Sequence, residues 1–405
     1  MTTKEMDAQQ TRVEAIAAAA ANLQRVETEL RNELYEREEA IRAALVAIVA
    51  KSHLVLLGPP GTAKSELIRL IAERVCDPTG QGLSYFVYLL TRFTTPEELF
   101  GPVAVSKLKN DDYERKTTGK LPEAQLVFLD EVFKSSSTVL NSLLTLMNER
   151  IFYNGDHVMQ TDIMSFLCAS NEMPQGDDLE ALWDRFLLRL EVGFLSETSF
   201  EKLLQSRVAP ATKNQPATMS QSELRLLQEY AASLPIPPSV LSALATLRRD
   251  LQAQKGITAS DRRWVQCLRI LQAHAVIEGR DAVEEDDLAL LSLTLWKEKD
   301  DRKEITRMVN RLANPLNARA NELKDSAVTI WTEAQGKMRQ LSADEQSAPR
   351  AQIALETLGK VKKIMKELEG VKTQATEQAR PLKRIEQALA RVTAIRKEVI
   401  ESSDL

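Results

Sequence analysis

One eight-residue stretch, Gly58-Pro59-Pro60-Gly61-Thr62-Ala63-Lys64-Ser65, limits what this 405-residue chain can fold into more than any other. It follows the apolar run His53-Leu54-Val55-Leu56-Leu57 and opens a helical stretch from Glu66 to Val75. The pattern is that of a phosphate loop, G-x-x-x-x-G-K-[ST], set between a strand and a helix. Ala63 stands where the last glycine is usual. Alanine is acceptable there if φ is negative, so the departure reads as mild. In such a loop the backbone N–H groups turn inward at a helix N-terminus, where the dipole favours anions. All eight residues are therefore candidates for nucleotide contact. Lys64 would reach the β- and γ-phosphates, and the Ser65 hydroxyl would ligate Mg²⁺.

The surrounding pattern is that of an α/β sheet. Four further apolar runs follow between amphipathic helical stretches: Tyr85-Phe86-Val87-Tyr88-Leu89, Leu126-Val127-Phe128-Leu129, Met164-Ser165-Phe166-Leu167-Cys168 and Leu187-Leu188-Arg189-Leu190. Continuous apolar runs predict strands covered on both faces, hence a parallel five-stranded sheet. We read four regions: a helical segment over 1–35, an α/β nucleotide-binding core over 36–195, an all-α domain over 196–299, and a helical or coiled-coil region over 300–405. The first carries Ile16, Leu23, Val26, Leu30 and Leu34 at helical spacing, which reads as packing helix. The third carries Leu224, Leu227 and Tyr230, then Val240, Leu244 and Leu247, then Trp264, Leu268 and Leu271, with no convincing strand. In the last, Val361, Ile364, Leu368 and Val371, then Ile385, Leu389, Val392, Ile395 and Val399, alternate steps of three and four. That stripe predicts an antiparallel pair packed on itself, or a tail for a partner or a second copy, broken near Pro381.

The rest of the candidate chemistry sits at strand ends. Asp130-Glu131 closes the run Leu126–Leu129, which places Asp130 beside a Mg²⁺ and Glu131 where it can act as general base on water. The plain alternative is a pair of carboxylates capping the next helix. Asn171, in Ala169-Ser170-Asn171-Glu172, follows the next strand and could orient that water; taken alone it is an ordinary turn residue. Arg185, in Asp184-Arg185-Phe186, is either a structural partner of its aspartate or a cation serving a neighbouring subunit's nucleotide. Arg262, in Ser260-Asp261-Arg262-Arg263-Trp264, opens a helix of the all-α region and reads either as part of an exposed basic pair or as a second sensor of the γ-phosphate.

Taken in order, Gly58–Ser65, Asp130-Glu131, Asn171, Arg185 and Arg262 resemble an AAA+ ATPase. Three stretches resemble its MoxR branch, and the RavA subfamily in particular: Leu90-Thr91-Arg92-Phe93-Thr94-Thr95-Pro96-Glu97-Glu98-Leu99-Phe100-Gly101-Pro102, Gly119-Lys120-Leu121-Pro122-Glu123-Ala124 and Leu143-Leu144-Thr145-Leu146-Met147-Asn148-Glu149-Arg150. The likeness covers about residues 25 to 300. It implies ATP or ADP with Mg²⁺ at subunit interfaces of a homo-hexameric ring. It also implies chaperone-like remodelling of a protein client with a partner bearing a von Willebrand factor A domain. The segment 101–124 would be an insertion whose hairpin strands are Val103-Ala104-Val105 and Tyr113-Glu114-Arg115-Lys116, with Lys109-Asn110-Asp111-Asp112 at the turn. A second hairpin, Arg150 to Val158, carries an Asn154-Gly155 turn. RavA-type proteins often insert a β-rich domain after the AAA+ part, and no strand-rich segment follows residue 300 here.

Composition weighs on the alternatives. Lys plus Arg total 53 against 58 for Asp plus Glu, a net charge of -5, and only 5% of residues are aromatic. That disfavours a nucleic-acid motor, which needs basic tracks and stacking rings. A scaffold that binds ATP without turnover is disfavoured because Glu131 and Arg185 are both present. Three Cys and three His without metal-ligand spacing disfavour zinc. No apolar run reaches the roughly 18 residues of a membrane span, and the N-terminus lacks a signal-peptide core, so the reading is a cytoplasmic protein.

Overall fold

The computed structural model describes residues 3–76, 82–109, 113–208, 216–339, 347–377 and 382–402. The chain divides into two compact units, Met1–Ser242 with Ile257–Lys297 and Ala243–Gly256 with Glu298–Leu405.

The first unit opens with α1 (Thr3–Glu33) and α2 (Glu38–Val49). Leu23, Val26, Leu30 and Leu34 of the amphipathic stripe are buried, Ile16 partly so. Its sheet contains β1 (Leu54–Leu57), β3 (Tyr85–Leu89), β4 (Leu126–Asp130), β7 (Ser165–Ser170) and β8 (Leu188–Glu191), in the order β3-β4-β7-β1-β8 and parallel throughout. All five expected strands form. β1 and β7 are buried along their length, and β4 and β8 up to their last residues, Asp130 and Glu191, as a sheet covered on both faces requires. β3 departs from that expectation. It lies at the sheet edge, and Tyr85, Val87 and Leu89 are exposed. The chain leaves β1 through α3 (Lys64–Arg74) for the far edge and returns, so the loop after β1 opens between the ends of β7 and β8. Ligands of open α/β sheets bind at such reversals of strand order.

Two short strands, β2 (Val75–Cys76) and β9 (Met219–Ser220), pair in parallel. β9 therefore puts a two-residue strand in the region read as wholly helical. It escapes a sequence pattern because two residues carry no periodicity. Between β3 and β4 lie α4 (Pro96–Phe100) and α5 (Val105–Leu108). The hairpin expected there reduces to one antiparallel bridge, Val103 with Arg115, flanked by Ala104 N–H to Glu114 C=O at 2.7 Å and Lys116 N–H to Pro102 C=O at 2.9 Å. Val105 belongs to a helical turn instead of a strand, and Lys109 caps it. Asn110 to Asp112 of the expected turn lie outside the described residues. After α6 (Ser137–Glu149), the second hairpin forms as β5 (Ile151–Asn154) and β6 (His157–Gln160). Asn154 pairs with His157, so the two turn residues are Gly155-Asp156, one place on from the Asn-Gly reading. The Asn154 side chain is spent elsewhere. Its Oδ1 accepts from Arg115 N–H at 2.7 Å and its Nδ2 donates to Arg115 C=O at 3.1 Å. A Cβ on Gly155 would stand 1.7 Å from the Tyr113 carbonyl oxygen, so only glycine lets the two insertions close on each other.

Helices α7 (Asp177–Arg185), α8 (Glu197–Val208), α9 (Gln221–Ser233) and α11 (Asp261–Ile277) and a 3-10 helix over Glu285–Leu293 also belong to this unit, and α10 (Pro238–Lys255) runs on into the second. The apolar positions read in the third region fall on α9, α10 and α11. α1 packs against α2, α9 and α11. Among the described residues no single helix is long and apolar enough to cross a membrane.

The second unit contains α12 (Lys299–Ala313), α13 (Pro315–Arg339), α14 (Ser347–Glu377) and α15 (Lys383–Glu401). The expected stripes are buried on α14 and α15, Leu389 partly so, but the partner set is larger than a pair. Ala320, Leu323, Ala327, Trp331, Ala334 and Met338 of α13, again spaced by threes and fours, complete a three-helix core. Pro381 lies outside the described residues.

Candidate nucleotide site

The loop after β1 is shaped by close approaches. Gly58 N–H donates to Ser170 C=O of β7 at 2.9 Å, and Val192 N–H donates to Leu57 C=O at 2.7 Å. A Cβ at Gly58 would lie 2.0 Å from the Val192 carbonyl oxygen, so that position admits glycine alone. Thr62 Oγ1 donates to Pro59 C=O at 3.0 Å. Lys64 is buried, and its ammonium donates to Gly58 C=O (3.0 Å), Pro59 C=O (2.8 Å) and Thr62 Oγ1 (3.2 Å). Burial lowers its pKa, opposed by the Asp130 and Glu131 carboxylates.

Ala63 does not meet the condition set for it. Its φ is 62° and ψ 23°, left-handed backbone that costs a non-glycine residue about 1–2 kcal/mol. Alanine thus occupies a backbone conformation that glycine would adopt without that cost.

Asp130 ends β4 and Glu131 follows at φ 54°, a second strained residue, as is frequent at functional sites. Asp130 Oδ1 accepts from Glu131 N–H at 2.9 Å. Glu131 Oε2 is buried without a hydrogen bond and faces the Lys134 ammonium at 3.3 Å. Asn171 is exposed and follows Ser170, the residue whose carbonyl holds Gly58. The structure therefore brings Gly58–Ser65, Asp130, Glu131 and Asn171 to one end of the sheet. Ser65 Oγ and the Asp130 carboxylate are hard oxygen donors of the kind Mg²⁺ takes alongside phosphate and water. The strained Glu131, with one acceptor oxygen free of hydrogen bonds, suits a base that must meet a water.

Arg185 and Arg262 lie elsewhere. Both line a cleft of about 270 Å³ with Lys51, His53, Asn148, Arg150, Asp184, Gln266 and Arg269 among its walls. Lys51 to His53 precede β1 and Leu187 precedes β8, so this cleft is at the opposite end of the sheet, about 13 Å of strand away. Arg185 Nη1 donates to Ala181 C=O at 3.3 Å while its Nε is buried without a partner. Arg262 Nη2 donates to Asn148 Oδ1 at 2.8 Å. The neighbouring Arg263 is a different kind of residue. Buried, it donates to the carbonyls of Thr294 (2.6 Å), Phe186 (2.9 Å) and Leu187 (3.1 Å) and pairs with Asp184 at 3.3 Å. A basic dipeptide thus holds one staple and one cation directed at the cleft. His53 at the cleft wall has its pKa pushed down to about 3 by burial and by Arg150. Being neutral, it donates from Nε2 to Met147 C=O (2.9 Å) and accepts Phe166 N–H at Nδ1 (3.1 Å).

Sequence reasoning missed Arg37, which ties the loop to the chain after β8, and Lys134, the ion-pair partner of Glu131. Arg37 stands in Tyr35-Glu36-Arg37-Glu38-Glu39, which reads as a solvated charge cluster and gives no signal of burial. Lys134 lies three residues beyond Glu131, and a helical-spacing search from the motif would have found it.

A family model described as the MoxR domain in the MoxR-vWA-beta-propeller ternary systems matches residues 21–229. A model of the AAA lid domain matches residues 239–309. An uncharacterised protein of Methanocaldococcus jannaschii is 34% identical over 383 residues, which is 93% of this chain and 98% of that protein. Chaperone MoxR1 of Mycobacterium tuberculosis is 23% identical over 291 residues, 68% of this chain and 74% of its own. A crystal structure from Cytophaga hutchinsonii, described there as a candidate ATPase, is similar with a TM-score of 0.62 at 20% identity, covering 76% of this chain and 98% of that one. It shares the fold.

Proposed function

The chain belongs to the MoxR family of AAA+ ATPases, and from that premise we propose that it hydrolyses Mg²⁺-ATP in a homo-hexameric ring and uses the cycle to remodel or mature a protein client. The observation that carries this is the division of labour between the two ends of the sheet. Loop, acidic pair and Asn171 gather at one end, while Arg185 and Arg262 gather at the other, out of reach of their own loop. A set of cations so placed serves a phosphate presented by a second copy, which is what a ring supplies.

In this reading Lys64 exchanges the loop carbonyls for the β- and γ-phosphates, and the loop N–H groups hold the remaining phosphate oxygens. Bound Mg²⁺ would be held by Ser65 and Asp130 and would offset the phosphate charge. Glu131 turns from Lys134 to take the proton of the attacking water, which Asn171 orients. Arg185 and Arg262 of the adjacent copy stabilise the charge that develops on the γ-phosphate. The joined insertions, clasped through Asn154 and Arg115, are the elements that would transmit nucleotide state to a client. A von Willebrand factor A domain protein is the partner this reading expects, with a β-propeller protein in the same system. The narrower RavA assignment rests on the three stretches 90–102, 119–124 and 143–150, and the described residues of the second unit are helical, without the β-rich insertion that RavA-type partners would need.

Steady-state phosphate release tests the proposal. Arg185→Ala should keep ATP binding and lower turnover by about a hundredfold or more. Mixing it with Glu131→Gln subunits should restore part of the activity, because some interfaces then join an intact base to an intact arginine. No restoration at assembling concentrations would contradict catalysis across an interface.

A further inference from the structure

Arg37 is buried at the turn before α2, and its hydrogen bonds to Thr62, Glu36 and Gly193 all end on main-chain carbonyls. Nε donates to Thr62 C=O at 3.1 Å, Nη2 to Gly193 C=O at 2.8 Å, and Nη1 to Glu36 C=O at 2.7 Å. The residue before it is fixed as tightly. Glu36 has φ 54°, and its carboxylate accepts from Ser196 N–H at 2.9 Å and from the Ser196 hydroxyl. The guanidinium is therefore held from the chain beyond β8 at Gly193 and, through Glu36, at Ser196, and it reaches from there into the loop.

What it holds there matters. Thr62 C=O and Ala63 N–H are the two ends of one trans peptide and point opposite ways. Fixing the carbonyl toward Arg37 fixes the N–H away from it. Gly61 at φ 79° and Ala63 at φ 62° are both left-handed, and alternation of this kind turns successive N–H groups into one anion-binding concavity. Rotation of that peptide would let Ala63 relax to negative φ and would carry its N–H out of the concavity. Glycine would adopt either state freely, whereas alanine prefers the relaxed one.

We propose that Arg37 is a positioning residue for the nucleotide, whose guanidinium locks the Thr62–Ala63 peptide so that a strained alanine presents its N–H to the phosphates. The proposal rests on the phosphate-loop reading, and it explains how the loop keeps its shape without the usual glycine.

A thermodynamic cycle tests it, with calorimetric affinities for Mg²⁺-ATP and Mg²⁺-ADP on the full chain, Arg37→Gln, Ala63→Gly and the double variant. Arg37→Gln should weaken both nucleotides roughly tenfold, the equilibrium weight of a left-handed alanine. In the Ala63→Gly background the same change should cost no more than about threefold, because glycine needs no lock. The loss should sit in KM, with kcat at saturating ATP within about twofold, as expected where ground state and transition state lose the same contact. Should Arg37→Gln fail to fold, Arg37→Lys keeps the charge but not the fork, and it should weaken binding in the Ala63 background alone. Equal losses in both backgrounds, or unaltered affinity in the Arg37 variants, would overturn the proposal while leaving the loop reading intact. Absence of binding by the unaltered chain would overturn the loop reading and this proposal together.

Discussion

The two units of the chain are built from the same helix-forming residues to different standards. Every non-glycine residue with positive φ among those described, Glu36, Lys51, Ala63, Glu131 and Arg150, lies in the first unit. So do the buried cations Arg37, Lys64, Arg74, Arg189 and Arg263. Burial lowers the pKa of both Arg189 and Arg263, the Arg263 charge lowers that of Arg189 further, and backbone carbonyls such as Trp183 C=O at 2.9 Å hold them. The second unit buries Ala, Leu, Val, Ile, Met and one Trp along three helices, with Trp331 Nε1 donating to Glu398 at 2.7 Å. Strain and buried charge collect where a site is built, and a bundle without them meets only the demands of packing.

Four changes would break or sharpen that contrast. Trp331→Ala removes the largest side chain of the bundle core and should cost the second unit about 3–5 kcal/mol. Its melting should drop while Mg²⁺-ATP affinity of the first unit stays unchanged; a matching loss of affinity would erase the contrast. Glu131→Gln should spare binding and cut phosphate release by about a hundredfold, the share of a general base, with no effect on bundle stability. Near-normal turnover would reject Glu131 as base.

Acid should also separate the units. His53 has a folded pKa of about 3 against the ordinary 6.5. Below pH 6.5 the unfolded chain takes a proton that the folded chain refuses, so the first unit loses stability as pH falls from 6.5 toward 3. The His53 share between pH 6.5 and 5 is about 2 kcal/mol. The second unit contains no histidine. Hydrogen exchange resolved by peptide should therefore show protection falling over that range in residues around β1 and β7 and holding in α13 to α15. The smallest effect is at Ala63. Ala63→Gly relieves left-handed strain against a gain in unfolded-state freedom, a net stabilisation of about 0.5–1 kcal/mol. A destabilised first unit would mean the alanine methyl packs against something that the strain conceals.

Apolar runs and the phosphate-loop pattern made the sheet legible, because continuous hydrophobicity and a glycine-bounded loop have few physical realisations. Strand order was not legible, so the exposure of β3 was missed: a run such as Tyr85–Leu89 reads the same at an edge as in the middle. The condition on Ala63 failed because a side chain's presence does not report the backbone angle beneath it when a distant residue holds the peptide. Arg37, at that distance, carries no pattern of its own. The three-helix bundle was half read, since α13 breaks its stripe with small alanines that look neutral one at a time. Arg262 and Arg263, adjacent and chemically alike, were separable only once their helix faces were known.

The central claim is that the loop after β1 grips a triphosphate. Titration calorimetry of the purified full chain with ATP and with ADP, each in excess Mg²⁺, tests it most directly, with Lys64→Ala alongside. The account predicts saturable uptake of both nucleotides by the unaltered chain and an affinity lower by about a hundredfold in Lys64→Ala, the weight of a buried charge-assisted contact. No uptake by the unaltered chain, or equal uptake by both, would contradict it.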